Sequence, residues 1–279
     1  MGRGMGVSVL DRIFRRNRSL VTAGGDGEVS AEAMAPAAPG RTVLWNATRV
    51  GQAEALWGEG FLWPGGADEI RRLTASFGLT AAHSLLLVGA GTGGPARLLA
   101  ADLGAWVSGF EADADLVALA NARLLRGVTP LSKRATMALW RQDAPAFTAR
   151  GFHHALAIEA LGGPDADAAL AAIAGGVKPG GQVMIVQSVP GGASCAEAGR
   201  IGAVLKHAGC DVRVVEDETA RHASQVLQGW KQLVRRLRGS RPTPAEAATL
   251  VAEAERWLRR LHLIREGRLH LLRWAAIAG

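Results

Sequence analysis

A chain of 279 residues, 48% of them hydrophobic, can bury a real core in one large or two small domains. Cys195 and Cys210 make neither a disulfide framework nor a metal site. That suits a reducing cytosol, and a cytoplasmic location is expected. No apolar run reaches bilayer-spanning length, and the N-terminal arginines are not followed by the uninterrupted apolar core of a secretory signal.

The net charge of +7 is unevenly spread. Residues 1–20 carry five Arg and one acid, and residues 229–279 carry one Lys and ten Arg against four Glu, which leaves the middle mildly acidic. Basic ends suit solvated helix faces, an anionic surface or a phosphorylated substrate. They lack interleaved aromatics and RNA-binding signatures, which argues against nucleic acid.

In chain order, Val7, Leu10, Ile13 and Phe14 recur at helical spacing among arginines, a pattern open to weak membrane-surface contact or to a frayed start. Residues 21–40, rich in Gly, Ala, Pro and acids, read as linker, so residues 1–40 are expected to be a disordered basic segment and 41–279 the folded domain. Helices are predicted at 46–57 and 68–77, separated by the stiff loop GEGFLWPGG. The run Leu85–Val88 predicts a buried strand. It is followed by the turn Gly89-Ala90-Gly91-Thr92-Gly93-Gly94 and a helix from Pro95 to Leu103. Such strand–glycine–helix units bind nucleotide cofactors, and this turn fits both GxGxxG and GxGxG, leaving NAD(P), FAD and S-adenosyl-L-methionine all open.

A strand over 105–110 ends at Glu111, 22 residues after Gly89, the separation that puts a carboxylate on ribose hydroxyls. A helix over 114–126 and a strand over 135–140 lead to Asp143 and Ala144. An aspartate there can accept from an adenine amino group while the next backbone N–H reads a ring nitrogen. A fourth strand, 154–158, ends at Glu159. A helix over 164–173, the turn VKPGG and a strand over 182–187 follow, then a helix over 195–208 and a strand over 211–215. Helical patterns over 220–237 and 244–264 precede a last strand, 268–277, after a tight turn, which fits an antiparallel strand at a mainly parallel sheet.

Together, VGAGTGG after the first strand, Glu111, Asp143 and VKPGG resemble the class I S-adenosyl-L-methionine-dependent methyltransferases, and GEGFLWPGG is similar to the N-terminal segment of the sarcosine, dimethylglycine and phosphoethanolamine branch. The resemblance implies an α/β fold: a Rossmann-like, seven-stranded, mainly parallel sheet with helices on both faces, the last strand antiparallel and a helical lid (220–264) inserted before it. It implies S-adenosyl-L-methionine as cofactor and a small-molecule methyl acceptor with an N or O nucleophile. It puts Gly89, Ala90, Gly91 and Gly93 beside the methionine part, with Trp63 and Gly65 closing that end, Glu111 and Ala112 at the ribose, and Asp143 and Ala144 near the adenine. The chain departs from the pattern at Leu87, where relatives carry an acid, and at Gly163, where the phosphobase branch carries His; it has no Tyr. These departures keep open a catalytically weakened, S-adenosyl-L-methionine-binding or fold-only relative acting as a regulator or partner protein.

For catalysis, Glu159 at the end of a central strand is the candidate to orient or deprotonate the acceptor. His222 is a secondary acceptor-site candidate, and Phe61, Trp63 and Trp230 are candidate pocket walls. His153 and His154 start a strand on the side away from the ligand edge and are set aside.

Overall fold

The computed structural model describes residues 45–126, 131–145, 147, 151–237 and 242–279; the expectations for residues 1–40 lie outside these. Seven strands form one sheet: β1 (Ser84–Val88), β2 (Trp106–Glu111), β3 (Ala135–Leu139), β4 (Phe152–Ile158), β5 (Val177–Pro190), β6 (Cys210–Asp217) and β7 (Leu269–Ala278). Their order is β3-β2-β1-β4-β5-β7-β6, and β7 runs antiparallel to both its neighbours. The chain winds outward from β1 through β2 to β3, then returns to pair β4 on the other side of β1, so the strand order reverses between β1 and β4. Ligands bind at such switch points, beyond the carboxyl ends of the strands.

The strands read apolar because both faces are covered. Leu85, Leu86, Leu87 and Val88 are all fully buried. Leu85 and Leu87 pack toward α1 (Ala47–Trp57), α2 (Gly66–Thr74), α3 (Gly94–Leu103), α4 (Ala114–Leu124), α7 (Thr219–Leu237) and α8 (Pro244–Arg265). Leu86 and Val88 pack toward α5 (Ala166–Gly175) and α6 (Ser194–His207). Each fully buried leucine contributes about 2 kcal/mol of apolar transfer.

The termini of the elements follow local chemistry. Asn46 caps α1 by accepting from the Arg49 amide, and Thr243 with Glu246 makes a reciprocal capping box ahead of Pro244 at the start of α8. The expected VKPGG turn is instead absorbed into β5. Pairing with β4 jumps from Phe152↔Val177 to His154↔Gln182, so the extra residues form a bulge. Gly181 is needed there because a Cβ would fall 2.2 Å from the His153 carbonyl oxygen.

Helices α7 and α8, where the lid is expected, pack on α1 and β7. Trp57 meets Trp257 edge-on at 5.4 Å, and Gly229 of α7 lies directly against the Trp57 ring. Below them Glu54 of α1 accepts from the Thr92 hydroxyl, the Gly60 amide and both terminal nitrogens of Arg123 on α4. This mostly buried pair clamps α1 onto the glycine turn and α4. Among the described residues, no helix is long and apolar enough to cross a membrane.

Removing one partner of a buried ion pair leaves the other charge uncompensated. Glu54→Ala is therefore expected to cost about 3 kcal/mol of stability, and Gly229→Ala, which forces a methyl into the Trp57 ring, about 1–3 kcal/mol. Urea denaturation of each variant measures both; losses below 0.5 kcal/mol, the usual range of a neutral surface change, would sink the clamp.

Candidate active site

Beyond the carboxyl ends of β1, β2 and β4 lies a cavity of about 610 Å³. One wall is the glycine turn. Gly89, Gly91 and Gly93 all have positive φ, a backbone region that side chains rarely enter, and a Cβ on Gly89 would fall 2.1 Å from the Ile158 carbonyl oxygen. Five of the turn's six amides are spent internally. Gly89 and Ala90 donate to the Phe110 carbonyl, Gly93 to Ala90 and Gly94 to Gly60. The Gly91 amide donates to Glu111 Oε2 at 2.8 Å, and Glu111 Oε1 accepts from the Ala112 amide at 2.8 Å. Burial pushes the Glu111 carboxyl above the usual range, against the pull of these N–H donors. A turn with five of its six amides tied off and a carboxylate beside it has no cradle for a pyrophosphate, which needs several free N–H groups and positive potential. Of the three cofactor classes open to the sequence, this arrangement suits the one that carries ribose hydroxyls and no phosphate.

Trp63, Gly89, Gly91, Glu111, Ala112 and Glu159 of the expected set line this cavity. The others are elsewhere. Gly65 lines a separate polar groove between α2 and α7, because it closes the turn into α2 beneath Gln225. Ala90 is buried under the turn, and Gly93 packs against Ala120 of α4, where both shape the turn without facing the cavity. Asp143 is exposed and pairs with Arg141 at 2.6 Å; neither it nor Ala144 lines the cavity. Gln142 lines that end instead, beside Trp140, and the Gln142 Nε2 and Trp140 Nε1 donors are buried without a partner among the described residues. Phe61 and Trp230 are core residues. His153 and His154 bond to Ser84 and Gln182 at the opposite, amino end of the sheet.

Glu159 has φ +50, an uncommon conformation for a non-glycine residue, at the end of β4. Its carboxylate accepts from the Ser188 hydroxyl on β5 and from Arg260 on α8 at 3.3 Å. Arg260 also donates to Ser188 Oγ at 2.6 Å and to His222 Nε2 at 2.8 Å, and its guanidinium lies over the Trp63 ring. His222 is 1% exposed, lies against Trp63 with ring centres 4.9 Å apart and tilted by 33°, and has no partner for Nδ1 among the described residues. Accepting from Arg260 at Nε2 puts its proton on Nδ1. On α8, Glu253, Trp257 and Arg260 lie on one face. Glu253, buried, accepts from Arg49 of α1, from Arg256 and from the Trp257 indole. Arg49, Trp257 and Arg260 line the roof of the cavity together with Trp45. Sequence reasoning missed Arg49, Gln142, Ser188 and Arg260. Gln142, next to the chosen Asp143, and Ser188, at the end of the fifth strand, were within reach of the same spacing argument; the arginines carried no local signal.

No family model matches the sequence, and no curated protein matches it significantly. Among solved structures, a phosphoethanolamine N-methyltransferase 2 from Haemonchus contortus, in complex with phosphomonomethylethanolamine and S-adenosylhomocysteine, superposes with a TM-score of 0.68 at 21% identity, over 82% of this chain and 56% of that one. This chain thus spans little more than half the length of that relative. The geranyl diphosphate C-methyltransferase of Streptomyces coelicolor matches with a TM-score of 0.55 at 13% identity, covering 76% of this chain and 77% of the other. The cyclopropane synthase MmaA2 of Mycobacterium tuberculosis matches at 0.59 and 15% identity, over 78% and 86%. At these identities the likeness is one of fold: the Rossmann-like, mainly parallel seven-stranded sheet with its antiparallel last strand.

Burial beside Arg260 holds the His222 pKa down at about 3, against about 6.5 when unfolded. Above pH 6.5 neither state binds this proton. As pH falls from 6.5 toward 3 only the unfolded chain takes it up, so this histidine destabilises the fold by about 1 kcal/mol per pH unit. His154, held at about 4, acts in the same direction over the upper part of that window. His222→Gln is expected to flatten the fall in stability between pH 6.5 and 4 in chemical denaturation; an unchanged slope would refute a buried neutral imidazole.

Proposed function

We propose that this chain transfers a methyl group from S-adenosyl-L-methionine to a small-molecule acceptor with an N or O nucleophile. The observation that carries the reading is the tied-off glycine turn with Glu111 beside it, facing a cavity with ribose-type acceptors, unpartnered donors at Trp140 and Gln142, and four tryptophan rings. The fold shared with methyltransferases crystallised with S-adenosylhomocysteine supports it.

In this reading Glu111 accepts from the ribose hydroxyls, Gln142 and Trp140 meet the adenine ring nitrogens, and Gly89, Gly91 and Trp63 border the methionine end. S-adenosyl-L-methionine supplies a methyl on a positively charged sulfur, already a good leaving group. The protein's main task is to hold the acceptor in line and close, which can supply several kcal/mol. Trp63, Trp257 and the other indoles exclude water from that path and present π faces to the cationic sulfur. Glu159, aimed by Ser188 and Arg260, accepts from the acceptor's N–H or O–H and takes the proton where one must leave. Its pairing with Arg260, together with Leu87 in place of an acid, favours a second reading, a cofactor-binding relative that acts as a regulator or partner protein.

Calorimetry with S-adenosyl-L-methionine, followed by tritiated-methyl transfer into a small-molecule extract, separates the readings. Glu111→Ala is expected to weaken cofactor binding about tenfold or more. Glu159→Gln should leave that affinity intact and slow transfer by about a hundredfold. Binding without any transfer favours the regulator, and no binding at all removes both cofactor-dependent readings and leaves a fold-only relative.

A further inference from the structure

Strand β1 offers no carboxylate at position 87, since Leu87 is fully buried between Gly109 of β2 and Leu156 of β4 and packs into the apolar core. The amino-acid end of a methionine-type cofactor therefore meets no acid from that strand. On the roof of the same cavity the balance runs the other way. Glu253 is the carboxylate that faces Arg49, and it is shared: besides Arg49 Nε at 3.2 Å it takes Arg256 at 2.6 Å and the Trp257 indole at 3.0 Å. The Arg49 guanidinium carbon lies over the Trp45 ring, 4.1 Å from its centre, and its terminal nitrogens make no hydrogen bond among the described residues. Burial lowers the Arg49 pKa by more than Glu253 restores, as expected of a cation with a fraction of a counter-charge. Arg260, the other cation of the roof, is engaged by Glu159, Ser188 and His222.

We infer that Arg49 binds the α-carboxylate of the cofactor's amino-acid end, so that this chain anchors that end by its anion rather than through an acid on β1. The inference rests on the methyltransferase reading and adds the group that positions the methionine end. A planar guanidinium with a free edge, already oriented by Trp45 and Glu253, matches a carboxylate in two parallel hydrogen bonds. Glu54, on the same helix as Arg49, accepts from Thr92 of the glycine turn and from Arg123, so α1 is tied to that turn.

The test is isothermal calorimetry of the full chain with three thioethers that differ only at that end: S-adenosylhomocysteine, its decarboxylated form, which keeps the amine, and 5′-methylthioadenosine, which lacks both groups. The native chain is expected to bind S-adenosylhomocysteine about tenfold or more tightly than the decarboxylated form. Arg49→Gln should lose that preference while binding 5′-methylthioadenosine as the native chain does, and Arg49→Lys should recover part of it. Equal native affinities for the first two ligands overturn the inference while leaving the cofactor reading standing. An equal loss for all three in Arg49→Gln overturns it too, since that is a structural role. Binding of none of the three removes the cofactor reading and this inference with it. The native comparison needs no variant, so misfolding of Arg49→Gln does not spare the proposal.

Discussion

The hydrogen bond from the Gly91 amide to Glu111 is the constraint around which the site is built. It joins the turn after β1 to the end of β2, and with the Gly89 and Ala90 amides on Phe110, Gly93 on Ala90 and Gly94 on Gly60 it occupies five of the turn's six amides. A turn closed in this way cannot act as an anion hole, whatever its glycine spacing. Its surface to the cavity is instead a carboxylate edge and bare backbone. That shifts the recognition of any anionic group away from the turn and onto the side chains above it.

Those side chains come from elements far apart in the chain. Arg49 enters from α1, and Trp257 and Arg260 from α8, more than two hundred residues later. One face of α8 presents Glu253, Trp257 and Arg260 in succession, so a single helix both supplies counter-charge to α1 and pairs with Glu159 at the strand ends. The roof and the floor are thus coupled through Arg260: its three partners are a β4 carboxylate, a β5 hydroxyl and an α7 imidazole. Glu159 is held at positive φ within this network, and backbone strain of that kind persists where neighbours over-determine it. Both bonds to its carboxylate fall on Oε1, and Oε2 has no partner among the described residues.

Much of the fold was legible. The apolar run of β1, the glycine turn, Glu111 at its distance and the late antiparallel strand are local patterns, and each names its own element. The bulge in β5 was read as a turn, because Pro-Gly-Gly looks the same in either setting until the pairing with β4 is known. Residue type points to Asp143 as the adenine contact. The loop after β3 turns Asp143 out to Arg141 and Gln142 inward, a choice of one residue's phase that spacing cannot resolve. Gly65, in the motif-bearing loop before α2, faces a different groove because that loop turns sharply at its end.

By itself the sequence determined the α/β class, the position of the site beyond β1 and the acid that closes its turn. These depend on periodicity and short-range chemistry, which a chain carries in its order. Tertiary structure alone decided that five of the turn's six amides are internally satisfied, that Arg49 and Arg260 share a roof, and that His222 is buried and neutral. Each of those depends on the approach of groups distant in sequence, and burial, pairing and proton affinity have no value until that approach is made.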